Sequence, residues 1–154
     1  MSETLFAAIR ANDIDQVKAA LEMEPDSVNK PDQRGFPPLV LATYSSYQNT
    51  AKLLLENGAN INTQDASGNT ALMGVVYKGY TDIAKMLLEK GANVNIQNHN
   101  GATALIFAAT FGQADMVSML IAHGANTVAK DNKGNAPIDH ARMHGDKIII
   151  ELLS

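Results

Sequence analysis

Residues 65–97 read DASGNTALMGVVYKGYTDIAKMLLEKGANVNIQ, and most of the remaining chain repeats this stretch with variations. A shift of 33 residues aligns Asp32, Asp65, Asn98 and Asp131, and behind them Gly35, Gly68, Gly101 and Gly134. The same shift aligns Leu39, Leu72, Leu105 and Ile138, while Gly58, Gly91 and Gly124 each open a Gly-Ala-Asn triplet. A fixed period of this size marks a repeat architecture, in which each unit buries its apolar face only against its neighbours.

Within the reference stretch the pattern predicts a first helix over Thr70–Tyr77, a break at Lys78-Gly79-Tyr80, and a second helix over Thr81–Lys90. Thr70 and Thr103 are placed to cap their first helices. Asp82 and Asp115 fall in the first turn of their second helices, where the helix dipole favours a carboxylate. Gly91 suits the left-handed residue that closes a helix. Helices this short are marginal alone, so Leu72, Ile83, Met86 and Leu87 must pack on adjacent repeats, at roughly 1.5–3 kcal/mol per fully buried aliphatic side chain. Ala42, Val75, Ala108 and Ala141 are small enough to let neighbouring first helices approach. Gly74 costs its helix about 1 kcal/mol against alanine; it stands where other copies have Leu41 and Phe107, and either makes room for Phe107 or forms a hinge.

Four segments, FPPLVLA from Phe36, NTALMGV from Asn69, ATALIFA from Ala102 and NAPIDHA from Asn135, resemble the T-P-L-H-x-A signature of the ankyrin repeat family. The resemblance spans nearly the whole chain. It implies an all-α fold with short β-hairpin turns, a solenoid of stacked helix-turn-helix units in a single domain over 1–154. Its repeats would be a cap over 1–31, full copies over 32–64, 65–97 and 98–130, and a closing cap over 131–154. No copy keeps the signature histidine, since Val40, Met73, Ile106 and Asp139 replace it. In the opening cap, Leu5, Ala8 and Ile9 form one apolar face and Val17, Ala20 and Leu21 a second, with a break near Asn12-Asp13. Asp13, Asp15, Glu22 and Glu24 can face water there. In the second copy Pro38 suits a first-turn position, and Ser46 replaces the inter-helix glycine. At the far end Ile148, Ile149 and Ile150 cannot all point inward, so one of them is expected at the surface.

The 154 residues and 45% hydrophobic content fit one soluble domain with a sizeable core. A net charge of −4 with both signs scattered offers no footprint for a phosphate backbone, so nucleic acid is not an expected partner. The absence of cysteine excludes disulfides and thiolate chemistry and suits a reducing compartment. MSETLFAAIRANDID lacks the basic flank and apolar core of a secretory leader, and no run approaches the roughly 20 apolar residues of a membrane span. The expectation is a cytoplasmic, unprocessed monomer without membrane contact.

The search for chemistry returns little. His140 and His144 stand four apart, a spacing that can aim two imidazoles at one metal, yet no glutamate follows His140 and Asp139 is the single third candidate. Surface histidines are the expected reading, with no metal, no cofactor and no catalytic residue. His123, ahead of Gly124, suits a helix end. The aspartates and asparagine opening each repeat do not meet calcium-loop spacing and read as turn residues.

The resemblance implies a partner-binding groove built from the hairpin tips and the exposed side of each first helix. Counted from the leading Asp or Asn, the variable contact positions fall on Gln33, Arg34, Phe36, Tyr44 and Ser45; on Ala66, Ser67, Asn69, Tyr77 and Lys78; on His99, Asn100, Ala102, Thr110 and Phe111; and on Asn132, Lys133, Asn135, Met143 and His144. Arg10 is the equivalent in the opening cap. Four of the chain's eight aromatics, Phe36, Tyr44, Tyr77 and Phe111, occupy these positions, with Tyr47 and Tyr80 just beyond. Aromatic and arginine side chains are common interface anchors, so a ladder of Tyr44, Tyr77 and Phe111 along the groove is expected. The function implied is a non-catalytic module that binds a protein partner; a dedicated inhibitor, immunity or protective partner of one enzyme or toxin is the alternative.

Overall fold

The computed structural model describes residues 2–154, which form two compact units, one extending to Ala71 and the other covering Leu72–Ser154. In the first unit, helix α1 (Ser2–Arg10) is followed by α2 (Ile14–Met23), a 3-10 turn at Pro25–Asn29, α3 (Pro38–Tyr44) and α4 (Gln48–Glu56). Helix α5 (Ala71–Lys78) starts at the boundary and leads into α6 (Thr81–Glu89), α7 (Ala104–Thr110), α8 (Ala114–Ala122), α9 (Pro137–Met143) and α10 (Lys147–Leu153). Among the described residues there is no strand.

Each unit is held by apolar faces laid against one another. In the first, α1 packs on α2 and α3, and α4 packs on α2 and α3, burying Leu5, Ile9, Val17, Leu39 and Leu54. In the second, α7 packs on α8 and α9, and α10 on α8 and α9, burying Leu105, Val117, Leu120 and Ile149. Ala42, Val75, Ala108 and Ala141 are fully buried, because at these positions a larger side chain would hold the helices apart. Gly74 lies half-buried within the unbroken α5.

The paired helices reverse through one geometry, used five times. A residue with positive φ follows the first helix: Asn12 (52°), Ser46 (66°), Gly79 (77°), Gly112 (68°) and Gly145 (65°). The next residue's N–H then reaches back to a helix carbonyl, as Asp13 to Ala8, Tyr47 to Ala42, Tyr80 to Val75, Gln113 to Ala108 and Asp146 to Ala141, at 2.9–3.1 Å. This six-to-one closure satisfies a carbonyl that the helix end would leave open. Asparagine tolerates the left-handed region better than most residues, and Ser46 adopts it despite its Cβ. At Gly79 any Cβ would also come within 3.1 Å of the Gln113 amide.

Among the described residues the expected β-hairpin turns carry a single isolated bridge, Gln64 with Thr70. Each tip is closed by a backbone bond, Asp32 N–H to Phe36 O, Asp65 N–H to Asn69 O, Asn98 N–H to Ala102 O and Asp131 N–H to Asn135 O at 2.9–3.0 Å, and by the side chain of its first residue. Asp32 Oδ1 accepts from the N–H groups of Arg34 and Phe36, Asp65 from Ser67 and Asn69, Asn98 from Asn100 and Ala102, and Asp131 from Lys133 and Asn135, all at 2.9–3.0 Å. The side-chain oxygen thus reinforces a tip that backbone bonds also close.

Side-chain amides tie one repeat to the next. Asn29 donates to Gly58 O and accepts from Asn60 N–H at 3.0 and 2.8 Å; Asn95 donates to Gly124 O and accepts from Asn126 N–H at 3.2 and 2.7 Å. Thr103 caps α7 by accepting from Ile106 N–H, and Asp13 caps α2 through Gln16 N–H. The predicted helix limits shift by one residue: α5 starts after Thr70, and α6 stops at Glu89 with Lys90 as its cap. In α10, Ile149 is buried and Ile148 is the isoleucine at the surface, 66% exposed.

Two stability changes follow. Ser46→Gly removes a left-handed strain of about 1–2 kcal/mol and is partly offset by added freedom in the unfolded chain. Thermal melting should therefore show a net gain of about 0.5–1 kcal/mol, about 2 °C in Tm. Asn95→Ala deletes both inter-repeat bonds and should cost about 1–2 kcal/mol in urea unfolding.

Candidate protein-binding surface

The sequence-predicted contact residues fall into two structural settings. Gln33, Arg34, Phe36, Asn69, His99 and Asn100 sit in the turns that precede α3, α5 and α7, where the Asp or Asn oxygen bends the chain so that intervening side chains project outward. Arg10, Tyr44, Tyr77, Lys78, Thr110 and Met143 lie at the last residues of first helices, and Ser45, Phe111 and His144 immediately cap α3, α7 and α9. None of them is buried. Phe36, Ser45, Asn69 and Thr110 are half-buried, and the rest are exposed.

In the first unit, Tyr44 is 42% exposed at the end of α3. The adjacent tip carries Arg34 over the Phe36 ring at 5.2 Å, and Arg10 lies over Phe6 at 5.8 Å. In the second unit Tyr77 and Phe111 meet edge to face, with centroids 4.9 Å apart, and Phe111 also stacks on Phe107 at 6.2 Å. Tyr77 and Phe111 nevertheless remain 47% and 48% exposed. Tyr47 and Tyr80 cap α4 and α6 and are half-buried.

Some contact positions serve the framework as well. The Thr110 hydroxyl donates to Ile106 O at 2.7 Å. Asn132 donates its side-chain amide to His99 O and its N–H to Asn100 O, linking two tips.

The two histidines have different surroundings. His140 directs Nε2 to Asp131 Oδ2 at 2.7 Å, whereas His144 caps α9 in solvent. Asp139 accepts from Ala136 N–H and lies 3.9 Å from Arg142. Among the described residues no three histidine or carboxylate groups gather as metal ligands do. His123 takes the helix-end position expected of it, with its ring Nδ1 2.9 Å from Met119 O.

A family model described as ankyrin repeats (3 copies) matches residues 5–98 and, again, 72–154. The chain belongs to the ankyrin repeat family. Its similar relatives include ankyrin repeat domain-containing protein 49 of Drosophila melanogaster, 40% identical over 53 residues, or 34% of this chain and 25% of that protein. The acyl-CoA-binding domain-containing protein 6 homolog of Dictyostelium discoideum is 38% identical over 53 residues, which is 34% of this chain and 18% of that protein. The matched stretch therefore spans a quarter or less of either relative. No helix among the described residues is long and apolar enough to cross a membrane.

In this ankyrin chain the signature histidine is missing, yet His140, one residue after its place, bonds the turn aspartate of its own repeat. Sequence reasoning assigned Asp131 to turn chemistry and missed this second bond. The i,i+4 spacing of Phe107 and Phe111 is the sequence signal for their stacking.

Burial, with the Asp131 side chain 11% exposed, pushes its carboxyl up. The Asn135 N–H, the His140 ring and the Lys133 N–H together outweigh that and hold it below the ordinary 3.8. A depressed carboxylate stabilises the fold fully above its unfolded value and loses that contribution as pH falls through the folded value. Wild-type urea stability should therefore fall as pH drops below about 4. In Asp131→Asn, which keeps the turn as Asn98 does, that acid-side decline should be shallower.

Proposed function

We propose that the chain is a non-catalytic binding module that grips a protein partner through the turn tips and first-helix ends of its repeats. The observation that carries this reading is the Tyr77–Phe111 pair. Each ring packs against the other in the edge-to-face geometry that aromatic quadrupoles favour, and yet each stays about half exposed. The pair is thus pre-organised, so little side-chain entropy is lost when a partner covers it. Large rigid aromatics held this way are the usual energetic anchors of protein interfaces. Members of the ankyrin family generally act by binding other proteins, which supports the same reading.

The residues flanking the pair fit an interface rim. Lys78 and Met143 are exposed at helix ends, and His99 and Asn100 project from a turn. Tyr44 holds in the first unit the repeat position that Tyr77 holds in the second, 33 residues on. No group in this surface is paired as a nucleophile and base, and binding without chemistry is the function its residues support.

The test is the double variant Tyr77→Ala/Phe111→Ala, prepared alongside the wild type as affinity bait in the organism that encodes the chain. Helical circular dichroism should persist, with a loss of about 0.5–1.5 kcal/mol from the broken aromatic pair. Proteins retained by the wild type and identified by mass spectrometry should be lost from the variant by tenfold or more, since two anchors contribute about 2 kcal/mol or more each. Equal retention by both baits would remove these aromatics from the site.

A further inference from the structure

Asp32 differs from its repeat equivalents in the fate of its second oxygen. Oδ1 closes the turn, but Oδ2 is buried and accepts no hydrogen bond. In the fourth repeat the corresponding Oδ2, on Asp131, receives His140 at 2.7 Å. The residue matching His140 in the second repeat is Leu41, which has nothing to donate. What faces Asp32 Oδ2 instead is a pair of guanidiniums, with Arg10 Nη2 at 3.7 Å and Arg34 Nη2 at 3.9 Å. Both distances are too long for hydrogen bonds. The carboxylate, only 10% exposed, thus holds two like charges side by side without occupying their N–H donors.

These groups line an open groove of about 530 Å³ whose walls are Phe6, Ala7, Arg10, Pro31, Asp32, Gln33 and Arg34. Its exposed apolar lining is Ala7 and Pro31, with the Phe6 side chain buried. Its polar side carries two positive charges against one negative, in a chain whose net charge is −4. Guanidiniums bind carboxylates through paired, charge-assisted hydrogen bonds, and a net-positive pocket on a net-negative protein selects both the location and the orientation of an acidic ligand. The volume suits two or three side chains.

We infer that this groove receives an acidic segment of the protein partner, seating an Asp or Glu carboxylate between Arg10 and Arg34 with a neighbouring apolar side chain on Ala7 and Pro31. The inference rests on the protein-binding reading above and specifies the chemistry of what is bound on the first unit. The incoming carboxylate completes a cluster of two positive and two negative charges. Asp32 acts as a positioning residue, holding the arginines together in the absence of the ligand.

The test is selection of displayed random peptides on the full-length chain, followed by fluorescence anisotropy with the synthetic winners and with matched peptides carrying Gln for Glu and Asn for Asp. The expected winners pair an acidic with an apolar residue, weaken with added salt, and lose about tenfold or more in affinity on amidation of the acid. Arg10→Gln/Arg34→Gln should lose at least as much. Because that variant leaves the Asp32 carboxylate unbalanced and can unfold, Gln33→Glu, an exposed substitution on the groove wall, provides the second reading and should weaken the same peptides several-fold. Winners without acidic residues, failure to select any peptide, or binding unchanged in Gln33→Glu and in folded Arg10→Gln/Arg34→Gln would overturn the inference. Peptides lost only in Tyr77→Ala/Phe111→Ala would overturn it while leaving the protein-binding reading intact. Self-association of the wild type that Gln33→Glu abolishes would assign the groove to a second copy of the chain, and would equally overturn it.

Discussion

The structure depends on the closure of the reversal between paired helices. A single left-handed residue turns the chain, and the N–H after it bonds to the carbonyl of a small buried residue, as Tyr80 does to Val75 and Gln113 to Ala108. Helices of seven to ten residues do not persist alone. The closure brings the apolar face of each second helix back onto the first, and burial then supplies the stability that propensity cannot. The same bend determines what is exposed. Phe111 follows α7 as its cap and stays half exposed, while Ala108, three residues earlier, is sealed inside.

Much of this was legible because few residues can substitute in such turns. Asp or Asn at each repeat start and glycine three residues on recur with the period, and the helices fall between them. Ser46 looked like a departure and is one in chemistry alone, since its backbone takes the same conformation as Gly79. The hairpin turns are short: backbone and side-chain bonds close each tip, and among the described residues a single bridge, Gln64 with Thr70, is added to them. Gly74, open to two interpretations in sequence, sits within a regular helix.

The candidate surface was legible as positions and not as interactions. Spacing placed Tyr77 and Phe111 at neighbouring contact positions, the thirteenth and fourteenth, of successive repeats, but not their edge-to-face contact, which depends on side-chain rotamers. It equally could not separate contact positions that are free from those the framework also uses, such as Thr110 with its bond to Ile106 O and Asn132 with its bond to His99 O. Asn29 and Asn95 bond to residues 29 and 31 positions further along. Those separations lie close to the repeat length, and such links are the kind that a periodic sequence can disclose once the repeats are laid side by side.

The turn aspartate illustrates how a repeat can vary without losing its form. The turn itself engages Oδ1, in the same two bonds at Asp32, Asp65 and Asp131. Oδ2 is left to whatever the surrounding residues present, an imidazole in one repeat and two guanidiniums in another. Architecture and individuality are therefore divided between two atoms of one side chain. A substitution at a distant residue can give a repeat a new chemical character while the turn that defines it stays unchanged.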